Sequence, residues 1–289
     1  MQTLDKHVRW ILDAPQAVED ALTDWLMAQG ATAMYREVTP PSAFLAYFPP
    51  GLALPDPVGL DRFPGVRLIR SEAFDDEDWL AKSREGFGPI LVGRSFYIRP
   101  LWDEAPVPAG RTPVVVNPGL AFGTGGHETT RLCMGLLEEL AAAGRLGTPI
   151  LDIGAGTGIL ALSAWLLGAR GITAFDIDPD CGPAMDDFIE LNALQVQGRR
   201  PFEHFVGTLD DPRVQGPYQG LLANILLETI QELLPRMAEV AAPGGWLVAS
   251  GILAERQDEA LVSLTIHGFK PRKVVQEGAW IAIWAEREA

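Results

Sequence analysis

LDIGAGTGILALSAWLLGA, residues 151–169, is followed by FDIDP at 175–179, and the reading of these two stretches decides the fold. Pro149-Ile150-Leu151 begins an apolar run of the kind found in a buried strand. It breaks at Gly154, Gly156 and Gly158, after which Ile159, Leu162, Leu166 and Leu167 recur at helical spacing. Glycine at a strand-to-helix turn puts no Cβ between the main chain and a ligand. A second apolar run, Ile172 to Phe175, ends on Asp176, whose carboxylate can accept hydrogen bonds from both hydroxyls of a ribose. Together the two stretches predict a nucleoside site.

The glycine spacing narrows the nucleoside. A dinucleotide fingerprint reads G-x-G-x-x-G, with a third glycine for close helix–strand packing and a pyrophosphate on the helix N-terminus. Here the order is G-x-G-x-G, Ile159 stands where that third glycine would fall, and no Walker lysine follows. A glycine turn without phosphate machinery, joined to an acid ending the next strand, resembles the seven-stranded methyltransferases that bind S-adenosylmethionine. From the turn alone, another α/β domain with a glycine-rich turn is the alternative; Asp176 weighs against it.

Composition sets the limits. A chain of 289 residues, 47% of them apolar, exceeds one average domain and can bury a sizeable core. No apolar run approaches the length of a membrane span. MQTLDKHVRWILD places charges where an export signal needs an apolar stretch, so the expectation is a cytoplasmic protein. Cys133 and Cys181 lack metal-ligand spacing and are expected as reduced structural thiols, and His7, His127, His204 and His267 never cluster, so no metal is expected. The net charge of −15, from 23 basic and 38 acidic residues, disfavours naked nucleic acid and suits a basic protein partner, although a merely soluble acidic protein has the same balance. Oligomeric state is not legible.

Pattern along the chain predicts two domains and a connector. Residues 1–64 read as a small α+β unit of ferredoxin-like type: a strand over His7–Leu12, a helix opened by Pro15 with Val18, Leu22, Trp25, Leu26 and Ala28 on one stripe and closed by Gly30, then strands at 32–38 and 43–48. Pro49–Pro64 predicts irregular chain. Residues 65–110 read as a connector, in which Asp75–Trp79 opens a short acidic-ended helix and Val92, Phe96, Ile98 and Trp102 alternate like a strand. From 111 to 289 strands and helices alternate as in a mostly parallel sheet. Strand cores are expected at 114–116, 149–153, 172–177, 203–207, 220–224, 246–250, 270–276 and 280–286, and helices at 129–143, 157–168, 181–193, 228–241 and 255–267. Glu277-Gly278 is too short for a helical crossover, so the last two strands must pair antiparallel. The fold class is therefore α/β, a seven-stranded Rossmann-like methyltransferase domain preceded by a small α+β domain.

Two further motifs carry chemistry. NPGLAFGTGGHETT, 117–130, sets Phe122, His127, Thr129 and Thr130 among four glycines, a loop suited to lie over the methionine end of the donor. A surface loop with Thr129 or Thr130 as helix N-cap is the plainer reading. LLANILLETI, 221–230, puts Asn224 at a strand end, where α/β sheets bind ligands, and its amide suits an amine substrate on one side and the donor on the other; a buried loop asparagine is the alternative. The prolines and aromatic of an N-P-P-Y motif are absent.

These motifs, with GGWLVASGIL, DEDWL at 76–80 and PLW at 100–102, resemble the ribosomal protein L11 methyltransferases, the PrmA family. The resemblance covers nearly the whole chain, is strongest over 113–256, and is weak in the first sixty residues. It implies S-adenosylmethionine as methyl donor and the lysine and N-terminal amino groups of that large-subunit ribosomal protein as acceptors, with the small domain as substrate grip. By motif position the donor contacts fall on Thr130, Gly154, Asp176 and Asn224, with Gly156 in the same turn. Asn224 is expected to orient the amine, Phe122 to wall the pocket and lower the lysine pKa by desolvation, and His127 to relay a proton or simply fold into the loop's own hydrogen bonds. Gly126, and Ser83 and Glu85 where a second Trp is usual, depart from the family pattern. Methylation of another protein amine, of an amide or of RNA, or a non-catalytic donor-binding module, are the competing functions.

Overall fold

The structure, a computed structural model, describes residues 6–15, 18–36, 43–52, 54–74, 88–117 and 125–288. They divide into two compact units, Met1–Phe87 and Gly88–Ala289.

In the first unit β1 (His7–Asp13) buries Val8, Trp10 and Leu12 on one face, the period-2 pattern of a half-buried strand. Helix α1 (Glu19–Ala28) turns Leu22 and Leu26 to the same core and stops at Gly30, whose φ of +91° a side-chain-bearing residue rarely adopts. β2 (Ala33–Arg36), β3 (Phe44–Phe48) and β4 (Arg67–Phe74) complete an antiparallel sheet of order β2-β3-β1-β4. Trp10 meets Phe48 edge-on at 5.1 Å in its centre. The segment expected to be irregular holds a 3-10 turn, Pro57–Arg62, because Asp56 caps it by accepting the Val58 N–H at 3.0 Å. The expected connector does not stand as one piece: β4 pairs with β1 along its length, whereas Gly88 onward belongs to the second unit. The helix expected to open at Asp75 lies outside the described residues.

The second unit opens with a three-stranded sheet, β5 (Ile90–Val92), β6 (Phe96–Pro100) and β7 (Thr112–Val116), in which β6 and β7 run parallel. The strand expected at 114–116 thus belongs to this small sheet. The alternation then runs α2 (Glu128–Ala142), β8 (Ile150–Ile153), α3 (Ile159–Leu166), β9 (Ile172–Asp176), α4 (Cys181–Leu191), β10 (Glu203–Val206), β11 (Tyr218–Asn224), α5 (Leu227–Val240), β12 (Ala241–Leu253), α6 (Gln257–Ile266), β13 (Phe269–Glu277) and β14 (Trp280–Arg287). The seven strands β8 to β14 lie in the order β10-β9-β8-β11-β12-β14-β13, parallel except for β14, which is antiparallel to both its neighbours. Every residue of β8 is buried, as a strand covered on both faces requires. Apolar clusters fill both faces: Leu137, Leu162 and Met185 in one, Leu221, Leu234 and Ile283 in the other. Because β9 continues to one side of β8 and β11 lies on its other side, the order reverses there, and a crevice opens at the C-terminal ends of β8 and β11.

Candidate donor and acceptor site

The crevice is built from the glycine turn upward. Gly154, Gly156 and Gly158 all have left-handed φ, +67°, +56° and +82°, so the turn after β8 is closed to side-chain-bearing residues without strain. At two of them the missing Cβ makes room for protein: at 154 it would overlap Ile225 Cγ2, and at 158 it would sit 2.6 Å from the Phe202 ring. Packing, rather than the approach of a ligand, is what excludes a Cβ there. The turn is tied to β9 by the Ala155 N–H donating to the Phe175 carbonyl at 3.0 Å.

Asp176, the last residue of β9, accepts the Gly156 N–H on Oδ2 at 2.8 Å and the Asp178 N–H on Oδ1 at 3.1 Å. Two backbone donors therefore fix its carboxylate at the lip of the crevice. Asp152 falls inside β8; it is 1% exposed, and its Oδ2 accepts the Ala161 N–H at 2.9 Å at the start of α3. Burial raises its pKa to about 7 against that bond, with the charge of Asp176 adding to the rise.

Across the crevice Asn224 ends β11, and its Nδ2 donates to the Thr130 hydroxyl at 3.4 Å. Thr130 is buried and backs Asn224, while Thr129 lines the cavity. His127 is the N-cap of α2: Nδ1 accepts the Thr129 N–H at 3.3 Å and lies 2.8 Å from its hydroxyl. The capping role that sequence offered to Thr129 or Thr130 falls to the histidine. Its ring meets Trp280 edge-on at 5.2 Å. Phe122 lies outside the described residues.

The cavity these groups surround holds about 560 Å³, within the range of small-molecule sites. Gly154, Asp176 and Asn224 line it, as do His127, Ile177 and Trp280; Gly156 and Thr130 stand one layer behind. Among the described residues no lysine or arginine lines it. An anionic pyrophosphate would find no lysine or arginine as counter-charge, whereas a cationic sulfonium shares the cavity with the Asp176 carboxylate. The donor set therefore fits S-adenosylmethionine. Trp280 carries no signal of this role in the sequence and reaches the cavity only through strand pairing, whereas Thr229 and Leu233 follow Asn224 closely, on the first two turns of α5, and helix packing turns them to the cavity. Both cysteines are buried free thiols whose pKa values burial raises, that of Cys181 to about 12. Among the described residues no cluster of three or more His, Cys, Asp or Glu could hold a metal, and no helix is long and apolar enough to cross a membrane.

Residues 61–288 match the family model described as "Ribosomal protein L11 methyltransferase (PrmA)". Relatives carrying that same name include one from Pelobacter propionicus, 38% identical over 245 residues, which are 83% of this chain and 72% of the relative. Another, from Geobacter sp., is 37% identical over 197 residues, 67% of this chain and 61% of the relative. Among solved structures, a ribosomal protein L11 methylase from Lactobacillus delbrueckii subsp. bulgaricus superposes with a TM-score of 0.60 at 26% identity, covering 70% of this chain and 100% of that one.

Proposed function

Because this chain belongs to the PrmA family of ribosomal protein L11 methyltransferases, we propose that it methylates lysine and N-terminal amino groups of L11 with S-adenosylmethionine. What carries the reading is the cavity itself: a pinned carboxylate at one end, an amide at the other, apolar walls between, and no lysine or arginine among the described lining residues. The bound sulfonium supplies an already activated methyl group. The remaining work is positional. Asp176 accepts from the donor's ribose hydroxyls, and the Asn224 carbonyl, its NH2 turned to Thr130, faces the incoming amine. An attacking amine must be neutral, and a free lysine titrates at about 10.4, so the apolar walls Ile225, Leu226 and Trp280 assist by disfavouring its charged form. With Nδ1 taken up by the Thr129 N–H as the cap of α2, we assign His127 to the wall and the helix cap rather than to proton acceptance.

The first unit we take as the substrate grip, of ferredoxin-like type. Its β-α-β-β order and its β2-β3-β1-β4 sheet support that assignment, with the 3-10 turn standing where a second helix would cross. The net charge of −15 favours a basic protein in the cytoplasm over nucleic acid. The test is mass spectrometry of purified L11 and of ribosomal RNA after incubation with the donor. Successive methyl increments on one amine of L11 are expected; increments confined to RNA or to amides would refute the proposal. Removing residues 1–87 should spare donor binding and abolish L11 methylation, and undiminished methylation by the truncated chain would remove the grip. A cut at residue 64 would instead strand β4 without its partner β1.

A further inference from the structure

Arg131 lies one helical turn beyond His127 on α2. Its guanidinium holds Glu277 side-on, Nη2 to Oε1 at 2.7 Å and Nε to Oε1 and Oε2 at 3.1 and 3.3 Å, while Nη1 donates to the Gly126 carbonyl. Each of its partners adjoins a wall of the cavity. Gly126 directly precedes His127, and Glu277, the last residue of β13, is the cross-strand partner of Trp280. His127 and Trp280 are the two rings that meet at 5.2 Å, and both line the cavity.

We propose that Arg131 is a positioning residue for methyl transfer: by tying Gly126 to Glu277 it fixes the separation of His127 and Trp280, and with it the width of the passage through which the amine enters. The inference rests on the methyl-transfer reading above. A forked guanidinium sets distance and orientation together, which a lysine ammonium cannot. The pair is partly exposed, with side-chain accessibilities of 23% and 44%, so it adds little to stability. Its consequence is geometric, and catalysis is steeply sensitive to ångström-scale placement. The same two elements carry an internal control. Lys273 of β13 bonds Glu139 of α2 at 2.7 and 2.6 Å, about two turns along the helix from Arg131, but the cross-strand partner of Lys273 is Trp284, which does not line the donor cavity.

The experiment uses the full chain and the variants Arg131→Lys, Glu277→Gln and Lys273→Met. It measures donor Kd by calorimetry, kcat and KM with L11, and the His127 ring-proton resonances by NMR. Arg131→Lys should leave donor Kd within about threefold, shift the His127 resonances away from the ring-current position set by Trp280, and lower kcat/KM by about ten- to a hundredfold. Glu277→Gln, which keeps one acceptor, should fall between Arg131→Lys and the parent, and Lys273→Met should match the parent. Unmoved His127 resonances in Arg131→Lys, unchanged kcat/KM, or an equal loss in Lys273→Met would each overturn the proposal. The resonances and donor Kd need no methyl acceptor. A parent chain that fails to methylate L11 therefore defeats the substrate reading, while the clamp is still judged by the His127 shift.

Discussion

Gly154→Ala tests why the turn after β8 is glycine. The substitution must hold φ near +67°, which costs a side-chain-bearing residue about 1–2 kcal/mol. Its methyl would also overlap Ile225 Cγ2. Ile225 cannot retreat as a unit, because its own backbone lies against Gly251, where a Cβ would overlap the Ile225 carbonyl. Forcing a methyl into such packing costs a further ~1–3 kcal/mol, for a total of about 2–5 kcal/mol. Ile225→Ala removes the overlapping atom but leaves the backbone strain. In that background Gly154→Ala should therefore cost only the ~1–2 kcal/mol of φ strain, a coupling of about 1–3 kcal/mol. Urea denaturation of the parent, both single variants and the double variant measures it. Additivity within about 0.5 kcal/mol would show that Ile225 does not set the packing at 154, and the argument from the missing Cβ would fall. Calorimetry supplies a second arm. Since the methyl points at Ile225, adding Gly154→Ala to Ile225→Ala should leave donor affinity where Ile225→Ala alone puts it; a further loss would restore close ligand approach as the reason for the glycine.

Asp176→Ala should weaken donor binding by about 1–3 kcal/mol through lost charge-assisted bonds, with Asp176→Asn falling between, since its remaining carbonyl can still accept the Gly156 N–H; calorimetry showing parental affinity in Asp176→Ala would remove the residue from the site. Asp152 gives a signed pH dependence. Its folded pKa of about 7 lies above the ordinary 3.8, so the fold retains a proton that the unfolded chain releases. The resulting penalty is absent below about pH 4, grows as pH rises toward 7, and is complete above it, with an upper bound of about 4 kcal/mol. Asp152→Asn, whose amide oxygen still accepts from Ala161, should accordingly gain on the parent between pH 4 and 7 in denaturant titrations and level off above. A stability difference flat across that range would refute the buried protonated acid.

What sequence disclosed and what it concealed divide along one physical line. The glycine turn, Asp176 and Asn224 are local: each sits where a strand ends, and strand ends show as breaks in an apolar run. The helices of the second unit were legible within a few residues because their apolar faces recur at fixed spacing. β4 was not, because Arg67, Arg70 and Glu72 interrupt its apolar positions and Ile69 is 63% exposed; only pairing with β1, far away in sequence, makes it a strand. β12 runs from Ala241 to Leu253, although Pro243-Gly244-Gly245 reads as a break. Trp280 and Asp152 escaped for a related reason. One looks like the start of an edge hairpin and the other like one more residue in a strand, and each acquires its role from groups brought to it by the sheet.

Ile159 shows how a departure from a motif can be structural in its own right. It occupies the place where a dinucleotide turn would have its third glycine, and a Cβ at Gly125 would stand 3.0 Å from its Cδ1 and overlap Ile98. The branched side chains of Ile98 and Ile159 together thus fill the space that Gly125 leaves, two residues before the His127 cap. A glycine at 159 would leave a gap between the first turn of α3 and the chain entering α2, and a larger residue at 125 would push the two apart. His127 and Thr129 are on one side of that junction, and the turn of Gly154 and Gly156 is on the other. The residue that argues against pyrophosphate therefore also takes part, with Ile98, in packing the acceptor side of the cavity against its donor side.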